Sequence, residues 1–519
     1  MGKYLLKRLL HGLFSIIIVV AIVMILIFSL LDRGSIFSND PAYSKKSGNQ
    51  RIVYEYQQWQ KYGYVEFTQY NDYVKELKAE GKITDDEAKL AMNLGLTARD
   101  DTEIVAEYVE KFTNYYESKG YTVERLNGKT TSTGIQNPAN MQQLFAYRDL
   151  NLLTRLWDFF KGVITIDSIN YVTDDIENRG ITFTFFDPLA GGKFSPAIIG
   201  NGTEHKYLLY FDSKFPFVHQ NLVSFHIGKS YSMYQNSDLV KVMTSKQGEV
   251  ISEEKTFYSG KVATTYLDLH SARYSYSVTN ENLELFGDNY TSCDPVNSGR
   301  SMIGYSFLIG IIATILTYLL GVPLGILMAR RKDKLADKIG TIYLVFIMAV
   351  PSLAYIFMFS AIGNSLFKLP TNFRQNGGVV YYILPIISLA LPAIAGIMKW
   401  LRRYMIDQIN SDYVKFARSG GLSEGEIFSQ HILKNAAIPL VHGIPASVLG
   451  CITGAIITES VYAVPGTGKL LTTAINKHDN GVIVGLTAFY AMLSVVSLIL
   501  GDILMAIVDP RISFTTKGR

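Results

Sequence analysis

Six stretches of this 519-residue chain are apolar for long enough to cross a lipid bilayer: about 9–31, 303–329, 339–363, 379–400, 440–463 and 482–508. Helical backbone rises about 1.5 Å per residue, so roughly 20 residues match a hydrocarbon core. The chain therefore reads as mainly α, a polytopic membrane protein with six transmembrane helices. Residues 34–300, between the first and second stretches, read as a water-soluble domain. A mean hydropathy of +0.15 averages these unlike parts and conceals both.

Charge orients the spans. Of the 22 Lys and Arg residues outside 34–300, 17 fall on one side if six spans alternate. They cluster before the first span (Lys3, Lys7, Arg8), after the second (Arg330, Arg331, Lys332, Lys334, Lys338), around 399–434 and in the tail. By the positive-inside rule both termini and residues 413–439 are cytoplasmic, and the large domain is extracellular. The expected layout is a cytoplasmic start and first span over 1–33, an extracellular domain over 34–300, five spans over 301–508 and a cytoplasmic tail over 509–519. Asp509-Pro510-Arg511 is expected to end the last span at the inner surface.

The domain carries 27 basic and 34 acidic residues, against 22 and 11 elsewhere. Nucleic acid would select a basic soluble face, so it is excluded as a partner. The first span is longer than a signal-peptide core and LLDRGSIFSND offers no small-x-small cleavage site, so it reads as an anchor. Cys293 falls in the domain and Cys451 in a span, which argues against a disulfide between them. No metal-ligand spacing occurs.

Within the domain, Thr84 and Glu87 form a capping-box pattern ahead of a helix running to about Leu94. Residues 101–119, closed by Gly120, repeat apolar side chains at helical spacing. Residues 181–186, 205–211 and 253–269 are rich in β-branched and aromatic residues, with Ser259-Gly260 as a hairpin turn. The domain is expected to be α+β. In the membrane half, Pro323, Pro351, Pro385, Pro392 and Pro445 interrupt the spans, and Gly321/Gly325 and Gly450/Gly454 match G-x-x-x-G, which reads first as close helix packing.

Residues 413–439, YVKFARSGGLSEGEIFSQHILKNAAIP, are polar and basic between two apolar spans. Tyr413 to Arg418 favours helix, Gly420-Gly421 permits a sharp turn, and Ser423 with Glu426 caps a second helix. Leu422, Ile427 and Leu433 offer apolar contacts, while Arg418 and Lys434 offer charge. A short helix held out of the bilayer suits a groove on a soluble partner. A solvated connecting loop is the plainer reading, and spacing alone does not separate the two.

Ala417, Gly421 four residues on, then His431, Leu433 and Pro439 resemble the cytoplasmic EAA loop of ABC importer permeases. That pattern is E-A-A, three residues, Gly, nine residues, then I-x-L-P. Here Lys415 and Phe416 replace its first two letters and His431-Ile432-Leu433-Lys434 its last four, departures usual in permeases of peptide importers. RRYMIDQINSDYVKFARSGGLS, HILKNAAIPLVHGIP, ITESVYAVPGTGKLL and GDILMAIVDPRISF resemble, in order, the B-type permease subunit of oligopeptide and dipeptide ABC importers. KYLLKRLL is similar to that family's start, and LWDFFKGVITID and FHIGKSYSMY look like its short extracellular segments. HKYLLYFDSKFPFVHQN looks like the enlarged domain of Ami-type oligopeptide permeases of Gram-positive cocci. One departure is LLDRGS after the first span, where the family usually has proline-glycine-aspartate.

The resemblance implies the type I ABC importer permease fold and a subunit that moves oligopeptides by alternating access across the cell membrane of a Gram-positive bacterium. It implies a heterodimer with a second homologous permease subunit, two cytoplasmic ATPase subunits that bind ATP and Mg, and an extracellular peptide-binding lipoprotein. The chain itself is then no enzyme and binds no cofactor. Its expected coupling residues, in a loop over 401–439, are Ala417, Arg418, Gly421, Leu422, Ile427, His431, Leu433, Lys434 and Pro439. Dipeptides, peptide pheromones, glutathione or nickel are alternative cargoes.

PGTGKLL (465–471) mimics the tail of a phosphate-binding loop. A Walker A motif needs Gly at 463 and Ser or Thr at 470, where this chain has Ala463 and Leu470. The resemblance places the segment near the outer mouth, which makes Glu459, Tyr462, Pro465, Gly466 and Gly468 the candidates for the translocation path or outer gate. Intramembrane acids are costly unless they face a cavity, partner or interface. For Glu459 and Asp502, pairing across helices is the plainer alternative. A receptor would need a cytoplasmic output domain, and the longest inner segment is only about 40 residues. An intramembrane hydrolase would need paired catalytic groups at one depth, which Glu459 and Asp502 do not supply.

Overall fold

A computed structural model describes residues 2–508, apart from 39, 130–137, 177, 192, 212–216, 232, 235–236, 276–280 and 289. The expected tail over 509–519, with Asp509-Pro510-Arg511, lies outside the described residues. The first helix, α1 (Gly2–Ile25), carries no acid in its first turn and continues as a wider π-helical turn over Leu26–Leu30.

After a helix over Gly48–Lys61, the inserted domain forms an antiparallel sheet of three strands, β1 (Val65–Gln69), β2 (Thr122–Leu126) and β3 (Gln143–Asp149), in the order β1-β3-β2. Thr84 caps α2 (Asp85–Ala91) by accepting the Glu87 amide at 3.3 Å. The Glu87 carboxylate does not close the capping box as expected, because Tyr108 of α3 (Glu103–Ser118) donates to it at 2.6 Å. Val105, Tyr108, Phe112 and Tyr116 of α3 are buried at helical spacing, and the helix gives way to Gly120 with φ +78°. A short helix, α4 (Leu152–Lys161), and strand β4 (Ile164–Ile166) follow. A second sheet then runs through β5 (Gly180–Thr184), β6 (Ala197–Asn201), β7 (Tyr207–Phe211) and β8 (Val218–Gln220), while β9 (Val223–Phe225) pairs with β4. Strands Glu253–Thr256 and Val262–Thr265 form the expected hairpin, with Gly260 at φ +80° in its turn.

The membrane half begins with α5 (Met302–Arg330), capped by the Ser301 hydroxyl. A straight third span over 339–363 is not formed. Its place is taken by α6 (Leu335–Ala349) and α7 (Ser352–Phe367), bent by 113°. Val350 is extended (ψ 130°) and Pro351 lacks an amide hydrogen, so no helix can run through the pair. Asp337 at the start of α6 makes a bidentate pair with Arg402, at 2.5 and 2.8 Å, near the end of α8 (Val380–Ile409). After α7 the chain reaches Phe373, whose ring lies 5.3 Å from Tyr305 at the start of α5. The bent pair thus connects opposite ends of the bundle.

Next come α9 (Asp412–Ser419), a tight turn, and a helical stretch opening at Glu424 that becomes α10 (Lys434–Thr453). The expected fifth span over 440–463 is broken at Gly454, and α11 (Ile456–Val461), α12 (Thr467–Asn476) and α13 (Asn480–Val508) complete the chain. Among the described residues, five helical stretches are long and apolar enough to cross a membrane, or six if the bent pair is one span. A Cβ on Gly321 or Gly325 would meet Ile397 at 3.1 Å or Leu401 at 3.2 Å, so this G-x-x-x-G seats α5 on α8. Gly450 meets nothing within 4 Å, and Gly454 breaks the helix instead.

The ends of the bundle are marked by polar contacts. Tyr4 donates to Asp502 at 2.9 Å and Arg8 lies 3.2 Å from the same carboxylate, which joins the start of α1 to the last turns of α13. His442, in the first half of α10, lies 3.9 Å from Asp502. At the other end the inserted domain is tied down by Ser230 to Asp479 and by Asn480 to Tyr64, each at 2.7 Å.

Candidate functional site

The segment singled out for coupling is a helix, turn and second helix rather than a loop over 401–439. α8 continues to Ile409 and the second helix begins at Glu424, so Pro439 lies inside α10. Ser423 and Glu426 close the capping box in both directions: the Glu426 amide donates to Ser423 at 3.3 Å, and the Ser423 amide to the Glu426 carboxylate at 2.9 Å. Gly421 sits at φ +85°, where a side chain would be strained, and Leu422 then turns back to donate to the Ala417 carbonyl at 3.2 Å. Arg418 holds Glu424 through two hydrogen bonds, of 2.5 and 3.1 Å, across the turn.

Apolar residues divide sharply between two faces. Val414, Ile427, Ile432 and Ala436 are buried against Ala329, Leu401 and Met405 at the ends of α5 and α8, with Ala417 and Leu433 packed at the edge. This corrects the expectation for Ile427, which is fully enclosed and offers nothing to a partner. Arg418, Gly421, Leu422 and Lys434 are exposed, whereas His431 and Pro439 are half-buried. The exposed apolar residue that sequence reasoning passed over is Phe416 of α9, at 76% exposure. Its signal was present as an aromatic where the EAA pattern has alanine.

The second group of candidates surrounds Glu459, which is only 2% exposed. Ser306 donates to one carboxylate oxygen at 2.8 Å and the Ala455 amide to the same oxygen at 3.0 Å. The Lys469 amide donates to the other at 2.9 Å, in the first turn of α12. A carboxylate there satisfies orphan donors and complements the helix dipole. The glycines make room for it: a Cβ on Gly454 or Gly466 would come within 2.4 Å of Glu459, and one on Gly468 within 2.8 Å of the Ile456 amide. PGTGKLL is therefore an anion seat, but its occupant is the chain's own carboxylate.

These contacts decide several expectations. Residues 465–471 are not an open outer loop, because Gly466, Thr467, Gly468 and Leu470 are buried and α12 begins at Thr467. The Glu459 carboxylate is engaged by hydrogen bonds within the fold. Tyr462 is likewise enclosed, sharing a 2.8 Å hydrogen bond with Ser388 and accepting the Phe373 amide at its carbonyl. Pro465 is half-buried. Asp502 pairs across helices with Tyr4 and Arg8. Both cysteines are free. Among the described residues no cluster of three or more His, Cys, Asp or Glu side chains is placed to hold a metal.

Residues 321–514 match the family described as binding-protein-dependent transport system inner membrane component. The oligopeptide transport system permease protein AmiC of Streptococcus pneumoniae is 37% identical over 530 aligned residues, covering 100% of both chains. The dipeptide transport system permease protein DppB of Lactococcus lactis is 32% identical over 43% of this chain and 73% of its own. The oligopeptide transport system permease protein AppB of Bacillus subtilis is 31% identical over 40% of this chain and 69% of its own. Only the first of these spans the inserted domain as well as the membrane half.

Proposed function

Because the chain belongs to the family of binding-protein-dependent ABC importer permeases, with a full-length oligopeptide permease among its relatives, we propose that it carries oligopeptides inward by alternating access. It is a multi-pass membrane subunit with the type I importer permease fold, and not an enzyme. The finer reading is that a second homologous permease completes the pore, two cytoplasmic ATPases binding ATP and Mg drive it, and an extracellular peptide-binding lipoprotein feeds it. Both termini and α9 then face the cytoplasm and the inserted domain faces outward. The bent pair α6–α7 counts as one crossing, which gives six.

The observation that carries this reading is the coupling segment. Phe416 and Arg418 are exposed on α9 and Leu422 in the turn after it, which a capping box and an ion pair brace, while Val414, Ile427 and Ile432 root the segment in the ends of α5 and α8. A partner that grips Phe416 and Leu422 and moves will tilt α5, α8 and α10 together, because an interior packed at this density transmits displacement instead of absorbing it. The position also supports the orientation, since Arg8, Asp502 and His442 gather the chain's ends and the start of α10 at one end of the bundle.

The test is ATP-dependent uptake of labelled oligopeptides by the reconstituted complex with and without this chain. Uptake is expected to require it, and unchanged uptake in its absence removes the proposal. Dipeptides, pheromones, glutathione and nickel are separated by competition in the same assay.

A further inference from the structure

We propose that α4 and the β4–β9 ribbon lie in the bilayer as an interfacial shelf, occupied by lipid of the leaflet on the inserted domain's side. The inference needs only that α1 crosses a bilayer, whatever cargo the subunit moves.

The apolar stripe of α4 is wider than its protein partner. Leu152, Leu156, Phe159 and Phe160 pack against the α1 and α13 cluster of Ile16, Val20, Met24, Ile27, Val484 and Ala488. The stripe continues onto Leu153 and Trp157, four residues apart and therefore adjacent on the helix, which are 76% and 69% exposed. Thr154, Asp158 and Lys161 take the remaining side. A helix with a broad apolar face, a narrow polar face and a tryptophan at the margin fits the boundary between acyl chains and headgroups.

Depth places it there. The Arg155 guanidinium of α4 sits 4.4 Å over the Phe28 ring, which fixes the level at which α4 meets the first span. Phe28 is 20 residues beyond Arg8, about 30 Å of helix and one hydrocarbon thickness, and only four residues short of Asp32. α4 therefore lies at the upper edge of the hydrocarbon, not above it in water.

The next element carries a second exposed apolar face. β4 pairs with β9 so that Ile164 faces Phe225 and Ile166 faces Val223. Strand alternation puts these side chains on one face, and Ile164, Ile166 and Phe225 are all exposed. Thr165, on the opposite face, meets His226 at 2.9 Å. Exposed apolar faces on two successive elements mark an interaction site, and the level of α4 on α1 makes lipid the occupant.

The experiment uses the full chain in nanodiscs, comparing tryptophan emission of the native chain with that of Trp157→Phe, since only Trp59 and Trp400 share the signal within the chain. The Trp157-dependent part is expected to be lost with lipids carrying a doxyl quencher at the top of the acyl chain and to survive acrylamide in the water. Quenching by acrylamide without quenching by lipid would show a water-exposed helix and overturn the proposal. Protection from both quenchers would mean that protein covers the shelf, which overturns it as well.

Discussion

The Lys469 amide donates to the Glu459 carboxylate at 2.9 Å, so the first turn of α12 is capped by an acid ten residues earlier in the chain. The same carboxylate receives the Ser306 hydroxyl from α5. One buried group thus fixes the break after α10, the direction of α12 and the start of α5.

Replacing Glu459 by alanine leaves one buried and two part-buried donors without an acceptor, and destabilisation of about 3 kcal/mol is expected. Glu459→Gln keeps the shape but turns an amide NH2 toward donors, so its loss should be smaller. Thermal melting of the purified subunit orders native, Gln and Ala variants. An Ala variant that melts with the native protein would show that the carboxylate holds nothing.

The two faces of the coupling segment predict opposite phenotypes. Ile427→Ala opens a cavity under α9 and should cost about 2–5 kcal/mol of stability. Phe416→Ala removes an exposed ring, so stability should hold while ATPase co-purification and uptake fall. If Phe416→Ala retains full ATPase binding and uptake, this turn is not the docking point.

Gly421→Asp should uncouple ATP hydrolysis from uptake while the subunit still inserts. There is open space around Gly421, so the penalty comes from its φ of +85°, about 1 kcal/mol for a residue with a Cβ, and from the added charge at the docking turn. Gly421→Asn, which tolerates the left-handed region better, should be milder. Normal uptake per ATP in the Asp variant would contradict this.

Arg402→Ala leaves Asp337 buried without its partner. Breaking such a pair costs about 3 kcal/mol, and the subunit should accumulate poorly in membranes. Substituting both members with leucine and methionine should recover part of the loss. Expression levels and melting temperatures of the single and double variants make the comparison.

Acid should loosen the inserted domain before neutral pH does. Burial pushes the Asp187 carboxyl up, but hydrogen bonds from His270 at 2.6 Å, the Leu189 amide at 2.9 Å and Tyr207 at 2.8 Å outweigh it and hold it below its ordinary 3.8. Asp167 is held down in the same way against burial, by the His205 ring and the His205 and Glu204 amides. A carboxylate depressed on folding contributes stability that is fully present above 3.8 and is lost as the pH falls through the lower folded value. Denaturant unfolding should therefore weaken below pH 4, and less steeply in Asp187→Asn, whose own stability is lower throughout.

The sequence alone determined the features that depend on neighbouring residues. Apolar length marked the membrane segments, though not where the third bends or the fifth breaks, Lys and Arg placement gave their expected direction, and the 3.6-residue rhythm of Val105, Tyr108, Phe112 and Tyr116 drew α3. The Ser423/Glu426 box and the Gly421 turn were legible because caps and turns close within three or four residues. What tertiary structure decided depends on residues far apart in the chain. Ser306 and Glu459 are separated by 153 positions, so no local pattern revealed that they bond to each other. Whether Ile427 or Phe416 faces outward was settled only by Leu401 and Met405 arriving from α8 to cover one of them. Proline at 351 announced an interruption, but the 113° bend also needed Asp337 anchored to Arg402 at one end and Phe373 packed on Tyr305 at the other. Hydrophobicity is indifferent to direction, so it places a helix in lipid; side-chain packing and buried hydrogen bonds, which are directional, fix its angle and its exposed face.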